Sequence, residues 1–418
     1  WFEWSNVVEC PRCKSEVIFA KAEKIGTGTF KCPSCGEPIK FLKSKRKQEI
    51  IAKLHLECLC GFRGEKSPDE NDLSKIQQIE QDFEKIVREQ RLWYPRDKFP
   101  AGDLEKDHSL LSKGYTHFYK FFTRRNLLSL VILFKAVNEI EDKNTKELLA
   151  LAFSSTIGWA NKCCSDPGGE KKLHGYWTPL MPIENNVWVS FERRFKAVLA
   201  GKKYSQHEIG TYYKEAKSFG ELAEDSNCLL LAQSGTRIPF PDNSVDAIIT
   251  DPPYGGNVQY AELCDLYTVW LKDILGMEGG LIDNQEEAIT TRHGGHDYIK
   301  TLQQYRTILY KIFKECYRVL KPNRWMVMTF HNREFKIWSA IHLAAHDAGF
   351  IWSEKDGMIY QPPIQAYTKT LHLRAAGSML GDFILSYKKA EAIPEERWIE
   401  EAEVGNKIKE IAGQAIEY

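Results

Sequence analysis

The hydrophobic pattern changes period twice along the chain. Up to about residue 65, apolar positions come in short alternating runs broken by Cys, Gly and Pro, such as 16–19 and 28–31, the pattern of small hairpins that cannot bury a core of their own. From Ser67 the spacing becomes three and four. Leu73, Ile76, Ile79, Phe83, Ile86 and Val87 predict an amphipathic helix, with Ser67, Asp69 or Asn71 as its cap. Helical periodicity continues through 118–140, 145–163 and 187–199, so this region is expected to be mainly α. Two stretches, 165–186 and 276–298, are rich in Gly or Pro and predict long functional loops.

From Asn227 the period changes again. Residues 228–232 (CLLLA) and 245–250 (VDAIIT) are continuous apolar runs, typical of strands buried on both faces of a parallel sheet. Helical patterns at 260–275, 298–320 and 335–348 alternate with strand patterns at 325–330, near 351–360 and at 383–387. That alternation predicts an α/β doubly wound sheet. After Lys389 the chain turns acidic, with Val404, Ile408 and Ile411 marking an amphipathic tail.

A chain of 418 residues exceeds one hydrophobic core, so several domains are expected. Lys and Arg total 57, as do Asp and Glu; with no net charge, any nucleic-acid contact must come from local patches, and polycationic wrapping is excluded. The longest apolar run, 127–137 (LLSLVILFKAV), is interrupted by Ser129 and Lys135 and falls short of the ~20 residues a bilayer span needs. It predicts a buried core helix and no membrane association. Eleven cysteines, an odd number without a disulfide-framework spacing, follow no signal peptide and predict a reducing cytoplasm. The chain opens on Trp1 rather than Met, which suggests a segment of something longer.

Four of the cysteines carry chemistry. Cys10-Pro-Arg-Cys13 and Cys32-Pro-Ser-Cys35 are CxxC knuckles separated by eighteen residues, and four such thiolates can close a tetrahedron around structural Zn²⁺. Metal binding would then stand in for the missing core. A redox CxxC is the weaker reading, because no thioredoxin-like βαβ context surrounds either copy. Cys58 and Cys60 with His55 could be a degraded further knuckle or ordinary cysteines. Gly26-Thr27-Gly28 follows no buried strand and opens no helix, so it reads as a hairpin turn and not a phosphate loop.

The most informative residues are Asp251-Pro252-Pro253-Tyr254, directly after the predicted strand 245–250. The carboxyl end of a parallel strand is where α/β sheets bind ligands. The exocyclic amine of a nucleobase is a poor nucleophile because its lone pair is delocalised into the ring. Asp251 can accept one N–H and the Pro252 carbonyl the other, favouring a pyramidal nitrogen whose lone pair faces an electrophilic methyl group. Pro252 and Pro253 fix φ and remove competing donors. Tyr254 offers a flat face for an extruded base.

Here the chain resembles the amino-methyltransferases that act on DNA with S-adenosylmethionine. The resemblance is carried by residues 238–254 (IPFPDNSVDAIITDPPY), by Asn257-Val-Gln-Tyr260-Ala-Glu-Leu263 and by Arg318-Val-Leu-Lys-Pro322 before the 325–330 strand. With the knuckles upstream, it is most similar to the zinc-ribbon adenine-specific DNA methylases of bacteria and archaea. The resemblance implies a Rossmann-like class I methyltransferase sheet lacking its first strands, an N-terminal zinc ribbon and a mainly α-helical insert. It divides the chain into a zinc ribbon at 1–65, a helical region at 66–225 as target-recognition insert, a catalytic domain at 226–390 and a helical tail at 391–418. The Asp form of the motif goes with N6-adenine in that family and a Ser form with N4-cytosine. C5-cytosine chemistry is disfavoured, since no Pro-Cys pair occurs in the chain.

The resemblance implies cofactor contacts from Ser234, Gly235 and Asp251. Gln233-Ser234-Gly235 stands where relatives often carry an acid for the cofactor's adenine, and the glycine-rich cofactor loop is missing; Asp166-Pro-Gly-Gly169 follows no strand and does not replace it. An upstream segment or partner chain is therefore expected to complete the sheet and the cofactor pocket. Basic clusters at 40–53, Arg124-Arg125, Arg193-Arg194 with Lys196, and Lys202-Lys203 could position a duplex through its phosphates, or be solvated faces. His331-Asn332, past the 325–330 strand, could border the target pocket or cap a loop. Two other readings stay open: an N2-guanine tRNA methyltransferase, which shares the Pro-Phe-x-Asp-Asn-Ser-Val-Asp run and Gly255, and a non-catalytic zinc-ribbon nucleic-acid-binding subunit.

Overall fold

The computed structural model describes all residues except 42–43, 59, 166–174, 224, 278–284, 295–299, 352–358, 361–381 and 391–418. The tail, the middle of the 351–360 pattern and Asp166-Pro-Gly-Gly169 lie outside the described residues. The chain divides into two compact units, Trp1–Gly210 with Glu262–Ile282, and Thr211–Ala261 with Asp283–Tyr418.

The first unit opens with β1 (Phe2–Glu9), β2 (Glu16–Ile18), β3 (Lys24–Gly26), β4 (Thr29–Lys31), β5 (Pro38–Lys40), β6 (Arg46–Glu57) and β7 (Arg63–Lys66). A small antiparallel sheet runs β3-β4-β5, and a larger one runs β2-β1-β6-β7, with β8 (Ile183–Glu184) added along β1. The expectation of short hairpins alone is corrected by β1 and β6, which are 8 and 12 residues long. Ile51 and Leu54 are both buried although three positions apart, because a bulge between them shifts the register against β1 and breaks the simple alternation. The ribbon also owns a small core, where Val8, Val17, Phe19, Phe30, Ile39 and Phe41 pack with Cys10 and Cys32. Gly26-Thr27-Gly28 turns the β3–β4 hairpin, with Gly28 at φ +62°.

The helices of this unit are α1 (Glu70–Glu89), α2 (Asp103–His108), α3 (Arg124–Asn138), α4 (Lys143–Ala160) and α5 (Val187–Ile209). Asp69 caps α1 in a reciprocal capping box with Asp72. The apolar run 127–137 lies within α3 and buries Leu127, Leu130, Val131, Leu133, Phe134 and Val137. Among the described residues no helix is long and apolar enough to cross a membrane. From α6 (Tyr260–Leu271), Leu266, Val269 and Trp270 belong to the core of this unit.

The second unit holds β9 (Val245–Thr250), α7 (Leu302–Val319), β10 (Leu320–Phe330), α8 (Phe335–Asp347), β11 (Phe350–Ile351), β12 (Ile359–Tyr360) and β13 (Phe383–Lys389). Its sheet runs β11-β13-β10-β9, with β12 also on β13. Among the described residues only β9 and β10 are parallel, and β13 is antiparallel to β10, so the sheet is mixed. Tyr305, Leu309 and Phe313 of α7 and Trp338, Ile341 and Ala345 of α8 build the core against Met326, Met328 and Phe330.

Two strand expectations are corrected. Residues 228–232 form no strand; Cys228 makes one isolated bridge with Glu215, and Leu230 and Leu231 are exposed. Nor is the 245–250 run buried on both faces: β9 lies at an edge of the described sheet, with Ile249 86% exposed. A continuous apolar run reads as buried on both sides whether or not the covering strand is present.

Candidate active site

The parallel register sets the site. Met328 of β10 sits opposite Thr250 of β9, so Thr329 lies beside Asp251 where the chain leaves the sheet. Thr329 Oγ1 donates to Asp251 Oδ1 at 2.8 Å and accepts from the Tyr254 hydroxyl at 3.3 Å. Asp251 itself is exposed, while Pro252 is buried in the turn behind it. The Tyr305 hydroxyl donates to the Pro253 carbonyl at 2.7 Å, and Asn332 Nδ2 donates to the Tyr254 carbonyl at 2.9 Å. Among the described residues no hydrogen bond reaches Asp251 Oδ2 or the Pro252 carbonyl, while the Tyr254 hydroxyl lies close enough to Asp251 for the carboxylate to help raise its pKa.

The Tyr254 ring packs edge-on against Phe330, 5.1 Å between centroids, and burial pushes its hydroxyl above the usual phenol range. Burial likewise raises the Tyr305 hydroxyl, which stays a neutral donor to the turn. Asn332 is anchored in its own right. Its carbonyl accepts from Trp338 Nε1 at 2.8 Å and its side-chain oxygen from the Glu334 amide at 2.7 Å, so it fastens Tyr254 and the start of α8 together. Thr329 and Tyr305 were not singled out by sequence. Thr329 could have been found only by laying β10 beside β9.

Gly255 turns the chain at φ +64°, and a Cβ there would stand 3.0 Å from Ile337, so both conformation and space call for glycine. Beyond it, the Glu287 carboxylate accepts from the Tyr260 and Ala261 amides and caps α6. Gln259 Nε2 donates to the Thr290 carbonyl at 3.2 Å, and Arg292 to the Gly256 carbonyl at 3.2 Å. The described part of the 276–298 loop therefore folds beside the turn.

Arg318 ties down the segment that precedes β9. Its guanidinium donates to the carbonyls of Ile238 and Phe240, to Asp242 and to both oxygens of Glu315. The Arg318 contact holds the Glu315 carboxyl down to about 2. This clamp explains why the Ile238 to Asp242 run and Arg318 occur together.

Ser234 and Gly235 form a separate tight turn. Ser234 Oγ pairs with Thr236 Oγ1 at 2.9 Å, and Gly235 faces Ile312 of α7. No hydrogen bond among the described residues joins this turn to residues 251–254.

In the first unit the ligand atoms of Cys10, Cys13, Cys32 and Cys35 lie within 4.8 Å of one another. Cys10 Sγ is 3.6 Å from Cys35 Sγ, and Cys13 Sγ 3.7 Å from Cys32 Sγ. A tetrahedron with metal–sulfur bonds of about 2.3 Å has edges of roughly 3.8 Å, so the four thiols fit one ion with no open position. Cys58 and Cys60 are exposed and do not join them, and His55 stacks on Trp1 and bonds Glu3 and Glu65.

Three crystal structures of one protein, described as a candidate DNA modification methylase of Thermus thermophilus, resemble part of the chain. The first aligns at 15% identity over 40% of this chain and 56% of that one, with TM-score 0.21. Another, complexed with S-adenosyl-L-methionine, aligns at 16% identity over 38% and 51%, with TM-score 0.16. The chain thus spans little more than half of that protein's length. No curated protein matches significantly. Residues 245–413, a stretch that opens on β9 and Asp251, match the family model described as DNA methylase.

Proposed function

We propose that the chain, as part of a larger chain or assembly that supplies the glycine-rich cofactor loop, transfers a methyl group from S-adenosylmethionine to the N6 amine of adenine in DNA. The observation that carries this reading is the pair of acceptors, Asp251 Oδ2 and the Pro252 carbonyl, at the carboxyl end of a parallel strand, with Asp251 Oδ1 already engaged by Thr329. A target amine can give one N–H to each acceptor. Its nitrogen then pyramidalises, and the lone pair leaves the ring for the incoming carbon. Thr329 fixes the carboxylate's rotation, and Tyr305 and Asn332 fix the backbone that carries the second acceptor, so little reorganisation remains at the moment of reaction. The exposed carboxylate is placed to receive the proton the amine releases.

S-adenosylmethionine, when bound, supplies the electrophilic methyl. Among the described residues no glycine-rich strand–turn–helix stands ready to cradle it, so Asp251 and its neighbours account for the amine side of the reaction alone. A strand from an upstream segment or partner chain, added along the edge of β9, would supply that cradle; the place of β9 at the end of the strand order among the described residues supports this. Zn²⁺ held by Cys10, Cys13, Cys32 and Cys35 would be structural, since a four-thiolate site leaves no position for substrate.

The test is mass spectrometry of nucleosides from DNA incubated with S-adenosylmethionine and the chain completed by its upstream segment or partner chain. N6-methyladenine that disappears with Asp251→Ala supports the proposal. N4-methylcytosine, or methylguanine confined to RNA, contradicts it.

A further inference from the structure

A cleft of about 660 Å³ in the first unit lies apart from residues 251–254 in sequence and is used by nothing described so far. Its volume falls in the range of about 300–1,000 Å³ typical of sites for small organic ligands. Trp4 and Asn6 come from β1 and Arg46 from β6; Lys113, Lys120 and Lys162 come from the loops around α2, α3 and α4. We propose that this cleft binds a single nucleotide, its phosphate against Arg46, Lys113, Lys120 and Lys162 and its base between aromatic walls with an N–H on Asn6. The proposal rests on the reading of the chain as a protein that handles DNA, and it extends that reading to a second site.

Charge is the first argument. Six cations and three carboxylates line the cleft, but several are already spent. Glu184 is held by Arg125 at 2.6 Å, with Trp4 Nε1 and Thr123 Oγ1 each at 2.8 Å. Lys47 pairs with Glu9 and Glu16, and Arg124 with Glu84. What remains is Arg46, Lys113, Lys120 and Lys162 against Glu49 and Glu80. None of those four cations has a carboxylate within ion-pair distance among the described residues. Lys113 gives one hydrogen bond, to Thr178 Oγ1 at 3.2 Å, and burial first, then the nearby Arg46, lowers its pKa. A bound phosphate would relieve that repulsion.

Asn6 is the second and independent argument. It is fully buried, and its Nδ2 donates to the Leu180 carbonyl at 2.8 Å, which fixes the amide's orientation. Its Oδ1 is buried without a hydrogen-bond partner. A buried acceptor left unpaired costs about 1–3 kcal/mol in general, so a side chain of this kind beside a cleft marks where a donor belongs. Bases carry ring or exocyclic N–H groups on their edges, whereas sugars, lipids and inorganic phosphate offer no flat face for stacking. Trp4, Tyr115 and Tyr119 supply aromatic surface at the same cleft.

The nucleotide could be free or part of a strand, and titration of the full chain separates the two. Calorimetry with dAMP and with deoxyadenosine reads the free ligand. Fluorescence anisotropy with a labelled single strand, and with the duplex of the same sequence, reads the polymer. The expected result is phosphate-dependent binding that weakens at least tenfold in Lys120→Gln/Lys162→Gln. For the single strand, the slope of log affinity against log salt should fall by about 1.4. Asn6→Leu should weaken binding of base-containing probes and leave that slope unchanged.

Binding of dAMP and strand alike assigns the cleft to either source; binding of the strand alone assigns it to DNA. If every probe binds the lysine double variant as it binds the parent, or if the parent binds none, the cleft is not a nucleotide site. Methylation by the completed assembly is scored separately. Retained methylation with unaltered probe binding overturns the cleft alone, and probe binding that behaves as expected without methylation overturns the methyltransferase reading alone.

Discussion

Thr329 Oγ1 stands 2.8 Å from Asp251 Oδ1 because β10 and β9 run parallel with Met328 opposite Thr250. The hydroxyl belongs to one strand and the carboxylate to the turn after the other, so sheet register sets the orientation of the candidate reactive acid. Thr329→Val keeps the side chain's shape and removes the donor. Hydrogen bonds to charged groups are worth about 1.5–3 kcal/mol, so methylation should slow by about 10- to 100-fold. The loss should fall on kcat more than KM, with Thr329→Ser restoring most of it. Steady-state kinetics of the three proteins checks this.

Gly255→Ala should destabilise the second unit. An alanine at φ +64° costs about 1–2 kcal/mol, and its Cβ would press on Ile337 at 3.0 Å. Thermal denaturation should show a lower melting temperature. An unchanged Tm would mean that the turn relaxes at no cost.

The Glu315–Arg318 contact should show in the acid limb of stability. Arg318 holds the folded-state carboxyl at about 2, below its unfolded value near 4.5, so its stabilisation is fully present above about pH 4.5 and is lost as pH falls toward 2. Both side chains are partly solvent-exposed, which limits the effect to about 1 kcal/mol. Denaturant melts of the parent and Glu315→Gln should differ by a constant amount at pH 6–8 and converge in acid. A gap that widens in acid would contradict the assignment.

The four-thiolate site predicts one zinc per chain by elemental analysis. Its removal by a strong chelator, or through Cys32→Ser, should lower the Tm of the first unit. Retention of a full zinc equivalent by Cys10→Ser/Cys32→Ser would place the metal elsewhere.

Much of this was legible in the sequence, for physical reasons that differ by region. Cys10, Cys13, Cys32 and Cys35 announced their cluster because a thiolate tetrahedron needs a fixed local spacing. Leu127 to Val137 announced α3 because its apolar residues outnumber any surface use. The position of Asp251 and Pro252 directly after β9 could be read because the apolar run 245–250 ends there. Register was not legible, and so Thr329 and Tyr305 went unseen, each reaching residues 251–254 from far along the chain. The 228–232 run misled because continuous hydrophobicity marks burial that a neighbour must provide, and within the described residues Leu230 remains exposed. Length was misjudged in β6, where a bulge between Ile51 and Leu54 breaks the two-residue period that marks a strand.

The most direct measurement compares the methylated nucleosides formed by the chain completed by its upstream segment or partner chain and by the same assembly carrying Asp251→Ala, when each meets DNA and S-adenosylmethionine. N6-methyladenine from the parent and none from the variant is the expected result. Equal yields from the two would contradict the role given to the carboxylate at the end of β9.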